Sequence, residues 1–310
     1  MAKLDTLREE LQCLADVRVT ADVKLAPYTS YGIGGPTALW VVPEHPSAVG
    51  QVLKRVRQAQ APLFILGSGS NVLISDEGWP GVTLWLGAEF SGWQVTPPRV
   101  QVLAGTPLND LIRVLVSKGL GGLEMLAGIP GTVGGALRMN AGAFGREICE
   151  VTTAIHGFDL AGKPVFMPRR AVDFGYRRAP ELAELVITAA ELEFEAADAA
   201  ELQGRLQEIL ALRGKKQPLD HPSCGSVFKR PPGYYAGALI EEAGLKGARV
   251  GDAMVSPRHA GFILNMGRAT AGDIYALIRK IEAAVGERFG VQLEREVRLV
   301  GDFSRVAASP

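Results

Sequence analysis

Ser226 stands in Cys224-Gly225-Ser226-Val227-Phe228-Lys229, a hydroxyl among small and apolar neighbours with a lysine close behind. No nucleophile-elbow sequence surrounds it and no histidine is implied nearby to activate it, so a hydrolase triad fits poorly and a turn serine is the plain reading. Glu296 lies in the stretch 291–300, where Val291, Leu293, Val297 and Leu299 alternate inward as on a strand and leave Glu294, Glu296 and Arg298 on the other face. A solvated strand face accounts for that pattern without chemistry. Tyr176-Arg177-Arg178 brings adjacent guanidinium groups, whose forks suit a carboxylate or phosphate as well as they suit water.

Two glycine-rich segments could hold an anion. Gly67-Ser68-Gly69-Ser70-Asn71 follows a short apolar run, and its glycines would let backbone N–H groups approach a pyrophosphate. It lacks the third glycine of the dinucleotide fingerprint and is followed by a strand rather than a helix, so any nucleotide there is bound another way. The second segment, Leu126-Ala127-Gly128-Ile129-Pro130-Gly131-Thr132-Val133-Gly134-Gly135-Ala136, is too glycine-rich for a regular element and too apolar for a solvated linker. It reads as a buried loop beside a ligand. Either segment alone is equally an ordinary turn; together they favour one extended cofactor.

These residues need elements to position them. Apolar periodicity predicts helices over 6–16, from Ser47, and from Thr106-Pro107 with Leu108, Leu111, Ile112, Leu115 and Val116 inward. A further helix over 199–213 turns Leu202, Leu206, Ile209 and Leu210 inward, another starts near Ala236, and a last one spans 270–288 behind Thr270 and Asp273, a capping pair. Its apolar face is Ile274, Leu277, Ile278, Ile281 and Val285. Strands are expected up to Val42 and over 63–66, 82–86, 100–103, 151–158, 164–168, 185–195, 261–265 and 291–300. The class is α+β with mostly separate sheets rather than a single βαβ array.

Composition narrows the function. At 310 residues and 47% hydrophobic, the chain can bury more than one core. Lysine plus arginine equal aspartate plus glutamate at 33 each, so no basic field speaks for nucleic acid, and anionic ligands must be met locally. Cys13, Cys149 and Cys224 are odd in number and lack C-x-x-C spacing, which argues against a disulfide framework and points to a reducing compartment. Four scattered histidines offer no metal-ligand spacing, and no metal is expected. The N-terminus has no signal-peptide pattern and no apolar run reaches membrane-spanning length, so a cytoplasmic protein off the membrane is expected.

Taken together, the motifs resemble the UDP-N-acetylenolpyruvoylglucosamine reductase family from about residue 31 to 301. In family order they are Tyr31-Gly32-Ile33-Gly34-Gly35; Gly67-Ser68-Gly69-Ser70-Asn71; the segment 128–136 with Asn140-Ala141-Gly142-Ala143; Tyr176-Arg177; and Gly225-Ser226-Val227-Phe228-Lys229 with Glu294-Arg295-Glu296-Val297. The short interval between Arg177 and Ser226 resembles the shorter, second type of the family. Ala179 and Arg230 depart from it, where serine and asparagine are common.

The resemblance implies a two-subdomain FAD-binding fold of the vanillyl-alcohol-oxidase type followed by a C-terminal α+β substrate domain. It divides the chain as 1–80, 81–209 and 210–303, with a tail over 304–310. It implies non-covalent FAD, NADPH as co-substrate, and reduction of UDP-N-acetylglucosamine enolpyruvate to UDP-N-acetylmuramate in two half-reactions at one site, for peptidoglycan precursor synthesis. FAD is expected against Tyr31, Gly67, Ser68, Gly69, Ser70, Asn71, Gly128, Ile129, Pro130, Gly131, Thr132, Gly134, Gly135, Asn140, Ala141 and Gly142, mainly through backbone N–H groups. Tyr176, Lys229 and Asn265 are expected to bind the nucleotide sugar. Arg177 and Glu296 would polarise its carboxylate, and Ser226 would protonate the carbanionic carbon; a Glu296 that hydrogen-bonds a carboxylate must itself be protonated, with a raised pKa. The competing readings are another FAD-dependent oxidase or dehydrogenase of the same superfamily, or a non-catalytic nucleotide-binding protein. Oligomeric state is left open, a monomer being compatible.

Overall fold

The computed structural model describes residues 2–304, and the expected tail lies, apart from Ser304, outside the described residues. The chain forms two compact units: one of residues 1–21, 38–68 and 81–213, the other of 22–37, 69–80 and 214–310. The segments 22–37 and 69–80, expected with the first FAD subdomain, group with the C-terminal part. Their internal bonds explain why: Val72–Ile74 pairs in parallel with Arg298–Val300, and Tyr31, Ile33 and Leu73 sit in the same core as Ile240, Leu277 and Ile281.

The first unit holds two sheets. A four-stranded sheet runs Val17–Lys24, Pro36–Pro43, Trp79–Trp85, Leu63–Leu66, and the chain crosses between units within three of those strands. The helices Ala2–Gln12 and Pro46–Gln58 close a core with it through Leu7, Leu11, Val49, Val52 and Leu53. A five-stranded antiparallel sheet runs Pro164–Pro168, Thr152–Asp159, Leu185–Glu193, Arg99–Leu103, Trp93–Thr96. The helix Leu108–Ser117 buries its expected face, but Thr106 does not cap it: Pro107 occupies that position without a side-chain bond, and the Thr106 hydroxyl donates to Gly92 O at 3.1 Å.

The helix Ala199–Lys216 differs from expectation on one face. Leu202, Leu206 and Ile209 are buried, Leu210 is 41% exposed, and Arg213 is buried instead. Positions 202, 206, 209 and 213 follow the stripe of a 3.6-residue turn, whereas 210 lies about a fifth of a turn to the side of its centre.

The second unit packs the helices Ala236–Glu242 and Ala271–Phe289 with a three-stranded sheet, Arg249–Val250, Ala253–Val255 and Ile263–Asn265. Thr270 and Asp273 form the expected capping box, and all five expected apolar positions of the long helix are buried. Asp76 adds both carboxylate oxygens to the same helix start, accepting from Ala271 and Gly272 N–H. The strand expected over 291–300 is shorter: only Arg298–Val300 forms one, because residues 294–296 bond to the 227–229 segment before the chain turns to Asn71. No helix among the described residues is long and apolar enough to cross a membrane.

Candidate functional site

In the first unit the two glycine segments touch. A Cβ on Gly67 would stand 2.8 Å from Thr132 Oγ1, so only hydrogen fits there. Trp85 Nε1 donates to Gly67 O at 3.1 Å, and because C=O and N–H point oppositely across a trans peptide, the Ser68 N–H is turned the other way.

The second segment corrects its expectation. Residues Val133–Arg138 form a helix, with the Thr132 hydroxyl accepting from Gly135 N–H at 3.3 Å. Its N–H groups are largely committed to the fold: Gly128 to Asn109 Oδ1, Ile129 to Leu126 O, Val133 to Thr106 O and Gly134 to Ala104 O. A Cβ on Gly134 would come within 2.9 Å of Ala104 Cβ. This segment therefore supplies close packing more than anion donors. Pro130 and Gly135 remain exposed, and Gly131 is half-buried.

Asn140 is fully buried with φ +41°, and its side chain is spent on protein: Nδ2 donates to Glu147 and to Gly175 O, and Oδ1 accepts from Cys149 N–H. Its side chain braces the loop. Gly175 and Arg178 close a tight hairpin by reciprocal bonds of 2.9 and 3.0 Å, with Tyr176 and Arg177 at its tip. Asn140 ties that hairpin down, and Arg177, at φ +52°, donates from Nη2 to Gly142 O at 3.1 Å. The adjacent arginines thus separate in role: Arg178 pairs with Asp173 in solvent. Ala141 is buried, its N–H on Ala136 O.

In the second unit Ser226, Lys229 and Glu296 belong to one patch. Val227 N–H bonds Gly261 O, Lys229 N–H bonds Glu294 O, and Glu296 N–H bonds Val227 O at 2.8 Å. A Cβ on Gly261 would lie 3.6 Å from Ser226 Oγ and 3.0 Å from His259 Cε1, so this glycine separates hydroxyl from imidazole. Burial pulls the His259 pKa below its usual value, and Nδ1 accepts from Gly261 N–H. His259, one of four scattered histidines in the sequence, carried no signal there that would place it beside Ser226. Lys229 Nζ is paired with Glu294 at 2.5 Å.

Asn71 bridges to the same patch: Nδ2 donates to Glu296 O at 3.1 Å, and Asn71 O accepts from Arg298 N–H. Gly69, at φ +62°, has its carbonyl on Ser30 N–H, which turns the Ser70 N–H the opposite way. The Tyr31 and Asn265 side chains are both turned into the fold. The Tyr31 side chain is fully buried in the core with its hydroxyl unpartnered, and Asn265 spends its amide on Tyr31 O, Gly267 N–H and Ala269 N–H. Both side chains shape the backbone around them. Of the departures, Ala179 is buried and Arg230 stacks over the Tyr235 ring at 4.6 Å.

The fold and its glycine segments define a class, the FAD-binding oxidoreductases: the FAD binding domain signature matches residues 37–161, and that of the UDP-N-acetylenolpyruvoylglucosamine reductase C-terminal domain matches 217–300. The chain is 41% identical to UDP-N-acetylenolpyruvoylglucosamine reductase of Syntrophus aciditrophicus, over 96% of each chain. It is 42% identical to that of Pediococcus pentosaceus, over 93% of this chain and 96% of the other. The crystal structure of UDP-N-acetylenolpyruvylglucosamine reductase from Thermus caldophilus superposes with a TM-score of 0.80 at 36% identity, over 92% of this chain and all of that one. The chain belongs to the UDP-N-acetylenolpyruvoylglucosamine reductase family.

The residues present fit FAD. Gly67 and Gly69 have no room for a side chain, and inward-bonded carbonyls turn the Ser68 and Ser70 amides outward. Amides presented in this way suit a diphosphate.

Proposed function

We propose that this chain reduces UDP-N-acetylglucosamine enolpyruvate to UDP-N-acetylmuramate with NADPH, in the cytoplasm, as a step of peptidoglycan precursor synthesis. The observation that carries the reading is the hydrogen-bonded pairing of the Ser226 and Glu296 segments through Val227, a device a flavoprotein oxidase has no evident use for. FAD, when bound, supplies the hydride relay between nicotinamide and enol ether.

The chain's own residues handle charge and protons. Hydride addition to the terminal enolpyruvyl carbon puts negative charge on the neighbouring carbon and its carboxylate. Arg177, held at the hairpin tip by its bond to Gly142 O, meets that carboxylate with a fixed cation. Glu296 binds the same group as a neutral acid, and Ser226 Oγ delivers the proton to the carbanionic carbon. Tyr176, exposed beside Arg177, and Lys229, whose Glu294 partner a phosphate would replace, bind the nucleotide sugar. Ser68, Gly69, Ser70 and Asn71 hold the FAD diphosphate, with Pro130, Gly131 and Gly135 shaping the flavin side. Tyr31, Asn140 and Asn265 act only through the backbones they brace.

An anaerobic visible-spectrum titration tests this. NADPH should bleach the bound flavin, and UDP-N-acetylglucosamine enolpyruvate should then restore its colour with formation of UDP-N-acetylmuramate. Bleaching without recovery would leave a flavoprotein of other specificity.

A further inference from the structure

Arg213 is buried to 9% exposure on the inner stripe of the helix Ala199–Lys216, and its Nε and Nη2 have no hydrogen-bond partner. Those two N–H bonds leave one edge of the guanidinium in parallel, the edge that grips two oxygens of a carboxylate or phosphate. A helix-end arginine would ordinarily serve its own last carbonyls; this one does not.

The surroundings are built for the side chain yet give its charge nothing. A Cβ on Gly128 would meet Arg213 Cδ at 2.7 Å, so the glycine makes the passage for it. The Phe144 ring centre lies 5.5 Å from Cζ. Burial foremost, and then the charge of Arg177, press on its ionisation; the one charged neighbour felt there is a second cation. Arginine does not neutralise itself in proteins, so a buried fork with no partner calls for an anion from outside the chain. Phe144, whose ring Arg213 faces, has a left-handed backbone at φ +51°, as Arg177 has at φ +52°, the kind of strain that collects at binding sites.

We propose that Arg213 forms a seat for a two-oxygen anion, held side-on by its Nε and Nη2 edge. The seat rests on the reductase reading for its two sources of such an anion, the enolpyruvyl carboxylate and the FAD diphosphate.

Arg213→Lys keeps the charge and loses the fork; Arg213→Met keeps the length and loses the charge. Flavin-free wild type and both variants are titrated with FAD, and the FAD-loaded proteins with UDP-N-acetylglucosamine enolpyruvate, with thermal midpoints recorded for the ligand-free forms. Both variants should bind one of the two ligands roughly tenfold or more weakly, the loss of a charge-assisted bidentate contact, and the other as wild type does. The ligand that weakens names the source. Ligand-free Arg213→Met should melt at or above wild type, since an unpaired buried cation is gone. Unchanged affinity for both ligands overturns the seat, and so does a lower ligand-free midpoint with both affinities reduced alike, the mark of a packing arginine. If wild type binds neither ligand, the reductase reading fails and the seat is decided separately: inorganic pyrophosphate must raise the wild-type midpoint and leave that of Arg213→Met unmoved, and an equal rise in both overturns it.

Discussion

The glycine segments of the first unit and the Ser226 patch of the second solve different problems with different parts of the chain. Around Gly67 and Thr132 the work is done by backbone and by the absence of side chains, and the Asn109 and Asn140 amides are bonded to protein. Around Ser226 the backbone is a frame, with bonds from Val227, Lys229 and Glu296, and what it frames are side chains that can exchange protons. The first device should fail by unfolding or loosening, the second by losing chemistry while the fold stands. Substitutions can test that division directly.

The largest effect is expected from Ser226→Ala. Flavin reduction by NADPH should persist, while reoxidation by the enolpyruvyl substrate slows by roughly 100- to 10,000-fold, the usual range for a positioned acid. Because Ser226 is only half-buried, its unfolding free energy should stay within about 0.5 kcal/mol of wild type. Stopped-flow measurement of the two half-reactions together with urea unfolding checks both statements. A stability loss comparable with the catalytic loss would dissolve the contrast.

Asn140→Ala should do the reverse. It removes the bonds to Glu147 and Gly175 O, leaves the buried Cys149 N–H without its partner, at about 2 kcal/mol of stability, and loosens the hairpin that carries Arg177. Asn140→Gly relieves the positive φ but not the lost bonds, so the alanine variant should be the less stable of the two by about 1 kcal/mol. Denaturant midpoints separate the terms.

How legible these regions were in the sequence follows from the same division. Regular elements were readable wherever a face is uniformly apolar, as in the helix Ala271–Phe289, down to its capping pair. The Val133–Arg138 helix was missed because adjacent glycines have poor intrinsic propensity, and its formation depends on Thr132 and on the bonds of Val133 and Gly134 to residues far back in the chain. Arg213 was missed because a charged residue is assumed to face water, so the stripe was closed with Leu210. The bracing bonds of Asn140 and Asn265 and the burial of Tyr31 were not legible, because membership of a motif does not say where a side chain's hydrogen bonds go.

A smaller effect couples the glycine segments themselves. Gly67→Ala places a methyl 2.8 Å from Thr132 Oγ1 and should cost about 2 kcal/mol. Thr132→Ala loses a helix cap, about 1 kcal/mol. The double variant should be more stable than the sum predicts by about 1 kcal/mol, since removing the hydroxyl makes room for the methyl. Strict additivity in urea unfolding would mean that the two segments are independent turns.

The smallest effect is a pH dependence that belongs to the side-chain region alone. His259 is held below its ordinary pKa chiefly by burial, with Lys246 adding to the depression and its own backbone and Glu241 opposing it. Below about pH 6.5 the unfolded chain therefore binds a proton that the folded imidazole refuses. The stability this histidine contributes is present above that pH and is lost as the pH falls toward the folded value. His259→Gln keeps an acceptor for Gly261 N–H and removes the titration, so its midpoint should fall less than wild type's between pH 7 and 5. Substitutions at Gly67 or Thr132 should shift the midpoint by the same amount at both pH values, because their bonds involve no group that titrates there. Parallel wild-type and His259→Gln curves would place the acid sensitivity elsewhere in the molecule.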